Sequence, residues 1–133
     1  MVLDNEALQA LADVGAAKHR AMVALLKAAV VDSRRSRQRP RLLTSTVVRL
    51  EAGLSRRSPQ NTGLGLFRVQ DVALDGERVE RALTLPSARE VTPADAAVAE
   101  VAASLAGKVT VLTSDPVDLR RLLAGTEVLV LQV

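Results

Sequence analysis

The apolar positions of this chain follow two rhythms. Short runs at Val2-Leu3, Leu42-Leu43, 109–113 and 127–131, together with an alternating stretch over 67–72, read as five strands. Between them the spacing turns helical. Leu8 and Leu11 mark a helix over 6–14 that breaks at Gly15, and Ala21, Met22, Leu25, Leu26, Ala29 and Val30 mark another over 16–31. Over 46–56, Val47, Leu50 and Leu54 share one face, and Glu51 lies about 40° from Val47 on its flank. Asp75 caps a helix running to Leu83, with Glu77 and Arg81 at i,i+4 and Val79, Ala82 and Leu83 inward. Thr92 caps the next, with Pro93 at its first position, Val98, Ala102 and Leu105 along its inner stripe and Gly107 at its end. Pro116 opens the last, ahead of Leu119, Leu122 and Leu123. Strands alternating with helices predict an α/β fold, a five-stranded and mainly parallel sheet in a three-layer α/β/α arrangement with right-handed crossovers. The 133 residues suit one domain over 1–133.

Two polar stretches modify that frame. Residues 32–41 hold five arginines and no large apolar side chain, so an exposed, mobile loop is expected. Residues 57–65, rich in Ser, Pro, Asn and Gly, read as turns. Eighteen basic against fifteen acidic residues give a net charge of +3, which alone says little. Fifteen of the basic residues are arginine, however, and eight of those fall between 34 and 57, an asymmetry that points to a polyanion. With one Phe and no Tyr or Trp, stacking of bases on aromatic side chains is excluded as the main mode of binding. The absence of cysteine removes thiolate chemistry, and no apolar run reaches the ~18 residues of a membrane span. Met1-Val-Leu-Asp4 carries acid where a signal peptide carries base, so a cytoplasmic location is expected.

The candidate chemistry is acidic. Asp4 and Asp115 each follow an apolar strand, and in an open parallel sheet ligands bind outside the carboxyl ends of the strands. Glu51 and Asp95 lie early in helices whose inner faces pack on the sheet. Together the four make an acidic pocket whose mutual repulsion favours a bound cation, and oxygen donors suit Mg²⁺ or Mn²⁺ better than zinc. Such ions activate water and clamp a phosphodiester for in-line attack. The structural alternative stays open for each. Asp115 is a good N-cap with Asp118 in the capping-box position, Asp95 is the box acid of Thr92, and Glu51 can reach solvent or pair with an arginine. The lone His19 is read as a packing or surface residue.

These segments resemble the PIN-domain nucleases, in particular the single-domain VapC-type toxins of prokaryotic toxin–antitoxin pairs. Val2-Leu-Asp4 looks like the family's opening motif, Glu51 in Val47-Val-Arg-Leu-Glu-Ala like its second acid, Asp95-Ala-Ala-Val-Ala like its third and Leu112-Thr-Ser-Asp115 like its fourth. Asp118 matches a further acid found nearby in many members. The resemblance spans nearly the whole chain. It departs at Asn5-Glu6, where the family often has a small hydroxyl residue and then Asn or Ser. What it implies is a Mg²⁺- or Mn²⁺-dependent endoribonuclease with Asp4, Glu51, Asp95, Asp115 and Asp118 as ligands, and Asn5, Thr113 or Ser114 orienting ligands or water. It also implies an RNA substrate, a VapB-like antitoxin and a homodimer, for which the broad apolar face of residues 16–31 is the candidate surface. No family motif covers Arg34, Arg35, Arg37, Arg39 and Arg41; their charge alone leads us to expect that they bind RNA phosphate, or else the acidic or C-terminal segment of an antitoxin. The competing expectation is a catalytically inactive PIN-like module that binds nucleic acid or protein, its acids serving only as caps.

Overall fold

Five parallel strands form one sheet in the order β3-β2-β1-β4-β5. The computed structural model describes residues 1–36 and 40–133, with the backbone alone for 32–36. The strands are β1 (Val2–Leu3), β2 (Leu43–Ser45), β3 (Gln70–Val72), β4 (Thr110–Thr113) and β5 (Leu129–Gln132). Val2 pairs with Leu43 on one side and Val111 on the other, so the shortest strand is also the centre. Val2, Leu3, Val111 and Leu112 are fully buried, as strands covered on both faces require. The all-parallel ladder agrees with the mainly parallel sheet expected from the alternation of strands and helices.

The strand order distributes the helices. The chain steps from β1 to β2 to β3 in one direction, then crosses back to β4 and on to β5, which sends the two sets of connections over opposite faces. One layer holds α1 (Asn5–Ala12), α2 (His19–Ser36) and α4 (Thr62–Leu66), with α1 packed on both others. The other holds α5 (Gly76–Leu83), α6 (Pro93–Ala103) and α7 (Pro116–Leu122), with α6 in the middle. The short α3 (Thr46–Glu51) touches α1 and α6. Small residues let α6 lie close to the sheet: Ala94, Ala97, Val98, Ala99 and Ala102 are all buried. Glu100 is buried with them at 2% exposure, and its carboxylate accepts from Arg78 Nη1 at 2.7 Å and Arg81 Nε at 2.8 Å, which ties α5 to α6. A buried acid needs such partners on both oxygens to offset desolvation.

Three local expectations are corrected. α2 starts at His19 and continues to Ser36, so Arg34 and Arg35 lie on its last turn and not in a loop. Arginine is nearly as good a helix former as leucine, and extending an existing helix is far easier than nucleating one. Arg37 and Arg39 lie outside the described residues. Within α2, Met22 and Leu26 are buried and Leu25 packs partly against the core, while Ala21 and Val30 stay exposed, so the apolar face is divided between core and surface. In α3 the inward residue is Val48, which puts Leu50 about 200° round the helix; accordingly Leu50 is 82% exposed. The helix has only six residues and hangs from β2 through the Ser45 cap, so the strand sets its rotation.

The third correction concerns 57–72. Ser58 caps a 3₁₀ turn over Pro59–Asn61 that leads into α4, and the strand begins at Gln70 and not at Phe67. Arg68 has φ of 53°, the left-handed conformation that closes a helix and cannot continue a strand. Glycine is the usual residue there, so the sequence carries no stop signal. His19 behaves as expected: its Nδ1 lies 2.9 Å from the Ala10 carbonyl and its ring meets Phe67 edge-on.

Candidate functional site

Strand order reverses between β1 and β4, which opens a crevice at their carboxyl ends. Asp4 leaves β1 at that point. Its backbone N–H still bonds the Leu112 carbonyl at 3.0 Å, its Oδ1 caps α1 by accepting from the Asn5 N–H at 2.7 Å, and Thr113 Oγ1 donates to its Oδ2 at 2.7 Å. Only 8% of Asp4 is exposed. Burial pushes its carboxyl pKa above the usual range; the bonds from Thr113 and Asn5 oppose this, while the neighbouring charges of Asp95 and Glu6 add to it.

Asp115 leaves β4 one strand over. Thr113 Oγ1 accepts from its backbone N–H at 3.1 Å, so a single buried hydroxyl joins the Asp4 carboxylate to the start of the Asp115 turn. Asp115 Oδ1 then caps α7 through the Val117 N–H at 3.2 Å. Asp95 reaches the same crevice from α6. Thr92 and Asp95 bond reciprocally, Oγ1 donating to Oδ2 at 2.6 Å and accepting from the Asp95 N–H at 3.1 Å, which fixes the first turn of α6. Three of the acids singled out in the sequence are thus attached to the two strands flanking the reversal or to the helix packed over them.

Glu51 and Asp118 are placed differently. Glu51 ends α3, is exposed and makes no side-chain hydrogen bond or ion pair among the described residues. Its neighbours Arg49 and Leu50 line a cavity of about 480 Å³ with Thr46, Gly53, Leu54 and Ser55, and Glu51 is not part of that lining. Asp118 sits in the first turn of α7 and faces Arg121 at 3.6 Å. Among the described residues no three His, Asp or Glu side chains are gathered into a group that would hold a metal ion.

Two charged residues of this edge carried no signal in the sequence. Glu6, two positions after Asp4, is held by Lys18 Nζ at 2.6 Å, and Lys18 also donates to the Val133 carbonyl at 3.0 Å. Lys18 and then Ser114 hold the Glu6 carboxyl below its ordinary pKa. Nothing local ties residue 18 to residue 6, since Lys18 lies in the turn that follows α1. Farther along the same edge of the sheet, Asp71 accepts from Arg56 at 2.8 and 2.9 Å and faces Arg49 at 3.2 Å. Arg56 holds the Asp71 carboxyl below its usual range. Arg41, the one described member of the arginine set with a placed side chain, is exposed and donates to Gln70 Oε1 at 2.9 Å.

Asp4 is costly to keep charged because it is buried, and the neighbouring charge of Asp95 adds to that cost. Comparison of the chain with protein-family models, with curated proteins and with solved structures finds no match. No described helix is long and apolar enough to cross a membrane.

Proposed function

We propose that the chain is a metal-dependent endoribonuclease of the VapC type, the toxin of a toxin–antitoxin pair, acting in the cytoplasm on RNA. The observation that carries this reading is the buried Asp4 carboxylate, raised in pKa and facing Asp95 where strand order reverses. Asp4, Asp95 and Asp115 would hold Mg²⁺ or Mn²⁺, with Glu51 and Asp118 as further acids of the resemblance. The bound ion would supply activated water and charge neutralisation at the phosphate. Thr113 holds the Asp4 carboxylate in the crevice by donating to its Oδ2. The arginines of α2 and the following residues would hold RNA phosphates. A VapB-like antitoxin and a homodimer belong to the same proposal.

One observation favours the second reading, an inactive PIN-like interaction module. Asp4, Asp95 and Asp115 each serve a helix start, so each has a structural use without metal. Calorimetric titration with Mn²⁺ separates the two. We expect a saturable isotherm for the native protein and its loss in Asp95→Asn, which keeps an amide able to accept from Thr92. Heat indistinguishable from dilution in the native protein would leave the acids as caps.

The arginine set gives an independent expectation. Replacing Arg34, Arg35, Arg37 and Arg39 by Ala should weaken RNA binding and flatten its salt dependence, each lost phosphate contact removing about 0.7 from the slope of log K against log salt on single strands. An unchanged slope in a filter-binding series would assign these residues to solvent.

A further inference from the structure

Asp71 has two arginines beside it and is bonded by one. Arg56 takes both of its oxygens, Nε donating to Oδ2 at 2.8 Å and Nη2 to Oδ1 at 2.9 Å, a bidentate pair that leaves Arg49 as the surplus cation. Arg49 Nε is buried 3.2 Å from Asp71 Oδ1, yet the guanidinium makes no hydrogen bond among the described residues. A buried donor of a charged group is costly in that state and calls for a further acceptor. The cavity of about 480 Å³ that Arg49 lines has room for one. Its polar side chains are donors as well: Thr46 Oγ1 accepts from the Leu74 N–H at 3.4 Å and Ser55 Oγ from the Arg57 N–H at 3.2 Å, while neither hydroxyl donates to anything among the described residues. Each O–H can turn to a new acceptor without giving up the bond its oxygen already accepts. The apolar walls are Leu54 and Leu50, the latter an exposed side chain that the core does not use. Between them Gly53 turns the chain at φ of 65°, and the position of a Cβ there has no atom within 4 Å. Glu51, about 200° round the helix from Arg49, supplies no counter-charge.

We propose that this cavity binds a small aliphatic monocarboxylate, its carboxylate held by Arg49 and the Thr46 and Ser55 hydroxyls and its chain laid along Leu50 and Leu54. Donors without acceptors select an anion, and the planar guanidinium fork matches a carboxylate. Charge selects a monoanion. Two arginines against one aspartate leave a single positive charge, which one carboxylate neutralises, whereas a phosphate monoester carries about −1.5 to −2 and would set excess negative charge beside Asp71. The two leucines select an aliphatic body, since burying their apolar surface adds to affinity only if the ligand has a chain to cover it. The cavity volume falls in the range of about 300–1,000 Å³ usual for small-molecule sites. None of its lining residues is an acid of the crevice, so the proposal stands whether or not that crevice cuts RNA.

Titration of the full chain with octanoate, followed by amide NMR shifts, tests this. The Thr46, Gly53 and Ser55 amides should move saturably with a Kd on the order of 1 mM, as suits a ligand of octanoate's size. Acetate lacks the chain and 1-octanol lacks the charge, so each should bind at least about tenfold more weakly. Octyl phosphate should bind no better than octanoate. Arg49→Gln should raise the octanoate Kd at least about tenfold, the effect of losing a charge-assisted bond. Far-ultraviolet circular dichroism should not change, because Arg56 still holds Asp71. Leu50→Ser, at a position 82% exposed and therefore harmless to the core, should bring octanoate toward the affinity of acetate. No saturation by about 20 mM octanoate, some twenty times the expected Kd, would overturn the proposal. So would octanol binding as well as octanoate, octyl phosphate binding more tightly, or native affinity in both variants.

Discussion

Asp4→Asn should lower Mg²⁺-dependent RNA cleavage by at least about a hundredfold, the upper cost of losing even a residue that only supports a metal ligand, while leaving the metal-free protein as stable as the native one or more so. The reason lies in the cost of the Asp4 charge. Its folded carboxyl titrates above the unfolded one, chiefly because it is buried. The folded state therefore binds that proton more tightly than the unfolded chain does. Below the unfolded pKa both states are protonated and the cost is absent; as pH rises through the folded pKa the cost appears in full, so metal-free stability falls across that window. Asparagine removes the titration and flattens this part of the profile. It also preserves the local bonds: Oδ1 caps Asn5, Nδ2 donates to Thr113 Oγ1, and the Thr113 hydroxyl turns to the Asp115 carbonyl, already 3.2 Å away.

Thermal unfolding with and without Mn²⁺ checks both halves. Metal that binds only the folded state adds about 2.7 kcal/mol at a hundred times its Kd, and the native protein should show that gain while Asp4→Asn does not. Native-level cleavage by Asp4→Asn would remove Asp4 from the site. A variant that unfolds at lower temperature without metal would show that the carboxylate contributes more as a cap than it costs as a buried charge.

What the sequence discloses here is what acts over a few residues. The starts of α6 and α7 are written in Thr92-Pro93 with Asp95 and in Asp115-Pro116, and each of these caps makes the bond its position implies, whereas Asp4 caps α1 through the N–H of the very next residue. The strands before them are short apolar runs, and the parallel order follows from alternation with helices. Rotation and tertiary partnership were not legible. Helical spacing groups Val47, Leu50 and Leu54, yet a six-residue helix carries too little apolar surface to set its own phase, and the Ser45 attachment turned Val48 inward instead. That one-residue change of phase is why Glu51 cannot be judged from periodicity. The partners of Glu6 and Glu100 are likewise out of reach of local reading: Lys18 lies in the turn after α1, and Arg78 and Arg81 come from a neighbouring helix.

The α4 segment was missed for a reason that supplies the second large effect: Gly63→Ala should destabilise the fold by about 1–3 kcal/mol or more, as forced overpacking does, whereas Gly65→Ala should stabilise it by about 0.5–1 kcal/mol. Two glycines in five residues read as a turn, because an exposed helix loses stability at each glycine relative to alanine. Gly63 is there for a neighbour distant in sequence. A Cβ at that position would fall 2.1 Å from the Leu11 carbonyl oxygen and 3.0 Å from the Cα and carbonyl oxygen of Ala12, all of them backbone of α1 or its end. No side chain can swing away to make room, so α4 would have to lift off α1 and draw the buried Leu64 out of the core with it. A Cβ at Gly65, two residues on in the same helix, meets nothing within 4 Å, and the substitution there only reduces the freedom of the unfolded chain. Denaturant unfolding of the pair should move the midpoints in opposite directions with similar m-values. A Gly63→Ala midpoint at or above that of the native protein would mean that α4 and α1 are not in backbone contact, and the helical layer built from α1, α2 and α4 would have to be redrawn.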